Sequence, residues 1–249
     1  MLSKATIKYI NSLQLKKFRQ QYNKFTAEGH KIVIEVLKNA EIIPDKIFCT
    51  KEWAEDNRSL LKKYAAKVVI VTYNELKKIS ALQTPNHVLV VLSRFNHEPN
   101  QTIVQNDLSL VLETIQDPGN FGTILRTADW FGIQHIFCSR DCVDLYNSKV
   151  IQASMGAFLR VKVIYDDLSS IIEKNENIPV YGAMLGGQNL FKMKIAPKGL
   201  IVIGNEGKGI SKKTEELLTH QIEIPSNGKT ESLNAAIATA IICAVFRNS

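Results

Sequence analysis

The sequence predicts an α/β protein, a mostly parallel sheet with helices on both faces, preceded by a small basic α/β domain. Three observations carry this. From residue 108 onward, six short apolar runs alternate with helical patterns, and strands that are apolar along their length belong to sheets covered on both faces. The 249 residues suffice for one large or two modest cores, at 45% hydrophobic and 22% charged content. The charge is also divided: residues 1–99 hold 17 Lys/Arg against 9 Asp/Glu, and the remainder holds 14 against 15. A basic N-terminal module beside a near-neutral domain points to a polyanion, nucleic acid first, with a lysine-rich solvated surface as the plainer alternative.

In chain order, a basic helical segment is expected over Ser12 to Phe25 and a helix over Glu28 to Asn39. Short strands follow at "KIFCT", "VVIV" and "HVLVVLS". The polar stretch from Arg94 to Asn106 has two asparagines flanking a proline and little apolar periodicity, which marks a linker. The expected division is 1–95, linker 96–106, and 107–249. In the last part the strands are "LSLVLETI", "HIFCS", "LRVKVIY", "PVYGAML", "GLIVIG" and "QIEIP". Ligands of such sheets bind beyond the carboxyl ends of the strands, and three unusual turns sit at those ends.

The first turn, Pro118 to Gly122, precedes a helix with Ile124, Leu125, Ala128 and Phe131 at near-helical spacing. Arg126 lies on the opposite face, as a salt-bridged structural residue or a waiting anion-binding group. The second turn places Gly204, Gly207 and Gly209 after a buried strand and before a helix that Ser211 can cap. No Gly-Lys-Ser/Thr ends it and no GxGxxG is present, which weakens ATPase and dehydrogenase readings. The third turn, Pro225 to Gly228, leads through Glu231, Ser232 and Asn234 into a helix apolar nearly all round, to be buried in the fold or against a second subunit. Glu231, Ser232 or Asn234 can equally serve as helix caps, Asn120 as a turn former, and Glu206 as an ion-pair partner of Arg126.

Cys49, Cys138, Cys142 and Cys243 follow no zinc or redox spacing, so no metal is expected. No apolar run approaches membrane-spanning length and the N-terminus lacks a secretory pattern, so a cytoplasmic protein is expected.

Taken together, "NFGTILRTA", "IVIGNEGKGIS" and "IPSNGKTESLNAAIA", with "SKVIQASMGAFLRVKV" between the first two, resemble the signature motifs of the SpoU (TrmH-type) family of SPOUT RNA 2′-O-ribose methyltransferases. The stretch "FRQQYNKFTAEGHKIVIEVL", with Glu28 and Gly29, resembles the start of the substrate-binding domain that many members carry. The resemblance implies a catalytic domain with a C-terminal trefoil knot, a homodimer, and S-adenosylmethionine as cofactor. It implies that Gly204, Glu206, Gly207, Ile224, Ser232 and Leu233 surround that cofactor, and that Arg126, Asn120, Glu206, Ser232 and Asn234 serve catalysis. An arginine stays a cation at physiological pH, so Arg126 is expected to grip a phosphate and stabilise developing alkoxide rather than to take a proton. Lys16, Lys17, Arg19, Lys24 and Lys31 are the expected RNA contacts. Ribosomal RNA is favoured as substrate; a tRNA 2′-O-methyltransferase and a non-catalytic RNA-binding protein of the same fold are the alternatives.

Overall fold

The apolar runs become the strands of two separate sheets in the computed structural model, which describes residues 1–248. Residues Met1–Asn96 and Asp144–Gly156 form one compact unit; His97–Val143 and the chain from Ala157 onward form the other.

The N-terminal unit contains α1 (Lys4–Ser12), α2 (Lys16–Tyr22), β1 (Lys24–Glu28), α3 (His30–Lys38), β2 (Lys46–Cys49), α4 (Lys51–Asp56), α5 (Arg58–Leu61), β3 (Val68–Ile70), α6 (Tyr73–Lys77) and β4 (Val88–Ser93). Its sheet order is β1-β4-β2-β3, with β4 antiparallel to both neighbours and β2 parallel to β3. Ile10, Leu13, Phe48, Leu76, Leu89 and Val91 form a core between the sheet and the flanking helices.

The C-terminal unit begins with α7 (Gln101–Asn106), β5 (Leu108–Leu112), α8 (Pro118–Trp130) and β6 (His135–Cys138). The chain then supplies α9 (Ser148–Ser154) to the first unit, where it packs on β1. It returns as β7 (Lys162–Tyr165), α10 (Leu168–Glu173), β8 (Val180–Asn189), β9 (Gly199–Ile203), α11 (Lys212–Glu215), β10 (His220–Glu223) and α12 (Ala235–Arg247). The order is β10-β8-β9-β5-β6-β7, and every pairing is parallel. All residues of β5 and β9 are buried, as strands covered on both faces must be.

Four sequence expectations change. The first helical segment stops at Tyr22, because Asn23 takes a left-handed conformation (φ 52°), and Lys24 to Glu28 pair with β4 as a strand. The linker stretch contains α7, capped by Asn100 and anchored by buried Val104. Residues 144–156 belong to the N-terminal unit, where Asp144 meets buried Arg19. The first turn is the opening of α8: Asp117 accepts from the Asn120 amide and Pro118 occupies the first helical position.

Candidate active site

Asp117 sits at the carboxyl end of β5 and caps α8, which fixes the helix start just beyond the sheet. Asn120 therefore projects from the first turn of α8, and Arg126 lies six residues further, about 9 Å along the axis. Beyond β9, the second loop folds on itself. Asn205 and Gly209 exchange both backbone hydrogen bonds, and the amides of Gly207 and Lys208 donate to Asn205 Oδ1. A Cβ on Gly204 would lie 2.3 Å from the Gly209 carbonyl carbon, so that glycine is required by the loop's own closure. At Gly207 a Cβ would meet only Asn205 Oδ1 at 3.7 Å, leaving room for a flat group against the backbone.

Two contacts tie this loop to the chain after β5. Asn205 Nδ2 donates to the Thr114 carbonyl at 2.8 Å. The Glu113 carboxylate accepts from the Ser211 amide and hydroxyl and from Thr214 Oγ1, at 2.9, 2.6 and 2.8 Å. Sequence reading missed Glu113, Thr114 and Asn205; the only signal was polar residues directly following buried strands. A cleft of about 400 Å³ at the same carboxyl ends is lined by Glu113, Thr114, Ser139, Asp141 and Ser211 among others.

The three motifs meet through side chains. Asn234 caps α12, its Oδ1 accepting from the amides of Ala236 and Ile237. With that oxygen turned to the helix, Asn234 Nδ2 points away and donates to Asn120 Oδ1 at 2.8 Å. Asn120 Nδ2 is then left to donate to Glu206 Oε1 at 3.0 Å. The helix cap thus sets the orientation of both amides and holds the carboxylate at the end of the series. Asn234 thus both caps α12 and joins the cluster, while neither Ser232 nor Glu231 caps α12.

Arg126 does not pair with Glu206. It is exposed and makes no hydrogen bond or ion pair among the described residues. Asp129, three residues on, is occupied by Arg160 in a two-pronged pair at 2.8 to 3.0 Å. Exposure removes the desolvation cost that a partner would have had to offset, and leaves the guanidinium available to an anion. Ile224 is half-buried; Ser232 and Leu233 are exposed and flank Asn234 in the chain, without a hydrogen bond to the first motif.

The five basic candidates of the N-terminal unit do not make one face. Arg19 is 3% exposed and donates to Asp144 and to the carbonyls of Leu13 and Gln14, so it cannot reach a phosphate. Lys24 pairs with Asp45 and with Ser93 Oγ at the start of β1. Lys16 and Lys17 are exposed on α2, and Lys31 lies at the opposite end of β1, in the first turn of α3.

Comparison with known proteins places the chain. The SpoU rRNA methylase family profile matches residues 107–244, and the MRM3-like substrate binding domain profile matches residues 4–90. An uncharacterized tRNA/rRNA methyltransferase of Synechocystis is 32% identical over 95% of this chain and 88% of its own length. The 23S rRNA (guanosine(2553)-2′-O)-methyltransferase RlmP of Bacillus subtilis is 27% identical over 95% and 93%. Among solved structures, a TrmH-family protein of Porphyromonas gingivalis superposes with a TM-score of 0.88 at 36% identity, covering 100% of this chain and 99% of its own. The chain belongs to the SpoU rRNA methylase family.

Proposed function

We propose that this protein transfers a methyl group from S-adenosylmethionine to a ribose 2′-hydroxyl of ribosomal RNA. The observation that carries this reading is the series Asn234, Asn120, Glu206, which binds three separate motifs into one fixed cluster at the start of the helix that carries unpaired Arg126. The B. subtilis relative, similar along nearly its whole length, is a 23S rRNA 2′-O-methyltransferase, which favours ribosomal RNA over tRNA.

S-adenosylmethionine supplies an electrophilic methyl group. Gly204, Glu206 and Gly207 of the second loop, with Ile224, Ser232 and Leu233 of the third, would hold it, and the open space at Gly207 fits a flat ring against the backbone. Attack by a ribose hydroxyl requires loss of its proton where water is kept away, so the chain's contribution is position and charge. Arg126 grips the phosphate beside the target ribose with two parallel N–H donors and favours the oxygen that gains negative charge. Asn120 and Asn234 orient the ribose, and Glu206 holds the second loop in place.

Two further features belong to this reading. The chain leaves edge strand β10 and returns to α12, which packs on α8, the helix that follows interior strand β5; such a return toward the middle of the sheet supports a trefoil knot there. A homodimer is the other feature, and exposed Trp130 (84%) at the end of α8 and Ile237 (54%) in the first turn of α12 are apolar residues it would cover. RNA from cells lacking the protein, incubated with labelled cofactor and the purified enzyme, should gain label in an alkali-resistant dinucleotide of ribosomal RNA. Label in tRNA alone would replace the substrate, and no label in any RNA would overturn the reading.

A further inference from the structure

The motif Glu28-Gly29-His30-Lys31 lies outside the catalytic unit, and the N-terminal sheet explains its residues one by one. Strands β1, β2 and β3 end, and β4 begins, at the same end of the sheet: Glu28 pairs with Leu89, Cys49 with Val88 and Ile70 with Cys49. Helices α3, α4 and α6 start there, so His30, Lys31, Lys51 and Tyr73 gather around Asn86 and His87. Glu28 is buried, and its carboxylate accepts from Ser80 Oγ and the Ala81 amide. It clamps the start of the 80–87 loop. Gly29 (φ +104°) lets the end of that loop approach, since a Cβ there would lie 3.4 Å from Asn86 Nδ2 in a conformation other residues rarely adopt.

The surface so formed carries exposed rings and cations. The Tyr73 ring is 41% exposed and lies 5.9 Å from that of exposed His87, which Thr50 Oγ1 holds at 3.2 Å. Trp53 Nε1 donates to His30 Nδ1 at 2.9 Å, so the neutral imidazole of exposed His30 carries its own proton on Nε2. Lys31 is exposed, and Lys51 has a solvent-exposed partner, Glu55 at 3.8 Å. Rings for stacking, amide and imidazole groups for base edges, and cations for phosphates are the chemistry that recognises bases not already paired with other bases.

We propose that this end of the sheet seats an unpaired nucleotide of the RNA substrate, the base stacked on Tyr73 beside His87, its edge met by Asn86 and His30, and the flanking phosphates by Lys31 and Lys51. The assignment rests on the reading that the substrate is RNA, and Glu28 acts in it as a positioning residue.

The test is equilibrium binding of the full chain to a fluorescein-labelled stem–loop RNA and to a fully paired duplex of the same stem. The stem–loop binds more tightly. Tyr73→Ala with His87→Ala lowers stem–loop affinity by about tenfold or more and leaves duplex binding unchanged, while Tyr73→Phe retains both. Lys31→Ala lowers the salt slope by about 1. Lys62→Ala, the same loss of one charge in the segment between α5 and β3, leaves stem–loop affinity unchanged. A double variant that binds the stem–loop like the parent, or that loses both probes equally, overturns the proposal, as does a Tyr73→Phe variant as weak as the alanine. Binding is read without methyl transfer: a parent enzyme that discriminates the two probes but methylates no RNA defeats only the catalytic reading, and unchanged binding in the double variant alongside normal methylation defeats only this one.

Discussion

In the C-terminal unit, Asn120, Glu206 and Asn234, from segments up to 114 residues apart, are bonded in series. In the N-terminal unit the basic residues that set its charge stand apart, Lys16 and Lys17 on α2 and Lys31 at the other end of β1. A motif that must hold a reacting group in one geometry leaves polar residues at fixed spacing, each with one partner. A charge surplus describes a field around a surface, and single lysines contribute to it without sharing a site. The buried basic residue of that region, Arg19, shows the hazard of reading charge as contact.

The largest expected effect in breaking this comparison falls on the N-terminal unit and on stability alone. Asp144→Ala would leave the Arg19 guanidinium buried beside two carbonyls without its carboxylate, at a cost of about 3–5 kcal/mol in denaturant unfolding. An unchanged midpoint would mean that Arg19 finds solvent, and would return it to the list of phosphate contacts.

The glycines of the second loop sharpen the contrast within the catalytic unit. Gly204→Ala forces a methyl group onto the backbone of Gly209 and Ile210 and should cost about 1–3 kcal/mol of stability. Gly207→Ala should leave melting unchanged and weaken S-adenosylmethionine binding in calorimetric titration. Equal stability losses in both would show that Gly207, too, serves only the loop.

Asn234→Asp separates capping from orientation, because a carboxylate still caps α12 but no longer donates to Asn120. Methyl transfer should fall by about tenfold or more with the melting temperature nearly kept, as expected when a positioned group shifts. Unimpaired transfer would reduce the series to helix capping.

The smallest effect is a pH dependence in the C-terminal unit. His97 Nδ1 accepts from the Val163 amide and His135 Nε2 from the Asn100 amide, and burial lowers both imidazole pKa values, with Lys162 adding to the effect and Asp107 opposing it at His135. Because the folded values lie below the unfolded value of about 6.5, the unfolded chain takes up protons first, and stability falls as pH drops below about 6.5. His97→Gln with His135→Gln should flatten the melting profile below about pH 6.5; an unchanged slope would locate the dependence elsewhere.

The parallel sheet was legible because strands such as 108–112 and 199–203 are apolar but for Ser109, a pattern that double coverage produces. The family was legible from three short motifs whose order survives any change in the surface between them. Strand β1 was not: five residues following a helix and preceding another carry no periodicity of their own, and pairing with β4, more than sixty residues on, makes them a strand. The assignment of 144–156 to the N-terminal unit was equally hidden, since the Arg19–Asp144 contact spans 125 positions and neither residue marks it locally. Asn234 was legible as a polar residue before an apolar helix; that its amide also orders Asn120 depends on where two chain segments meet in space.

The most direct test of the central claim is single-turnover methyl transfer by Arg126→Ala, with the melting temperature taken on the same preparation. Arg126 is exposed and unpaired, so its removal should leave melting unchanged and slow transfer by about 10²–10³. Arg126→Lys should recover little of the rate, since an ammonium cannot reproduce a planar two-pronged grip. A stable Arg126→Ala protein that transfers methyl groups at a near-normal rate would contradict the account.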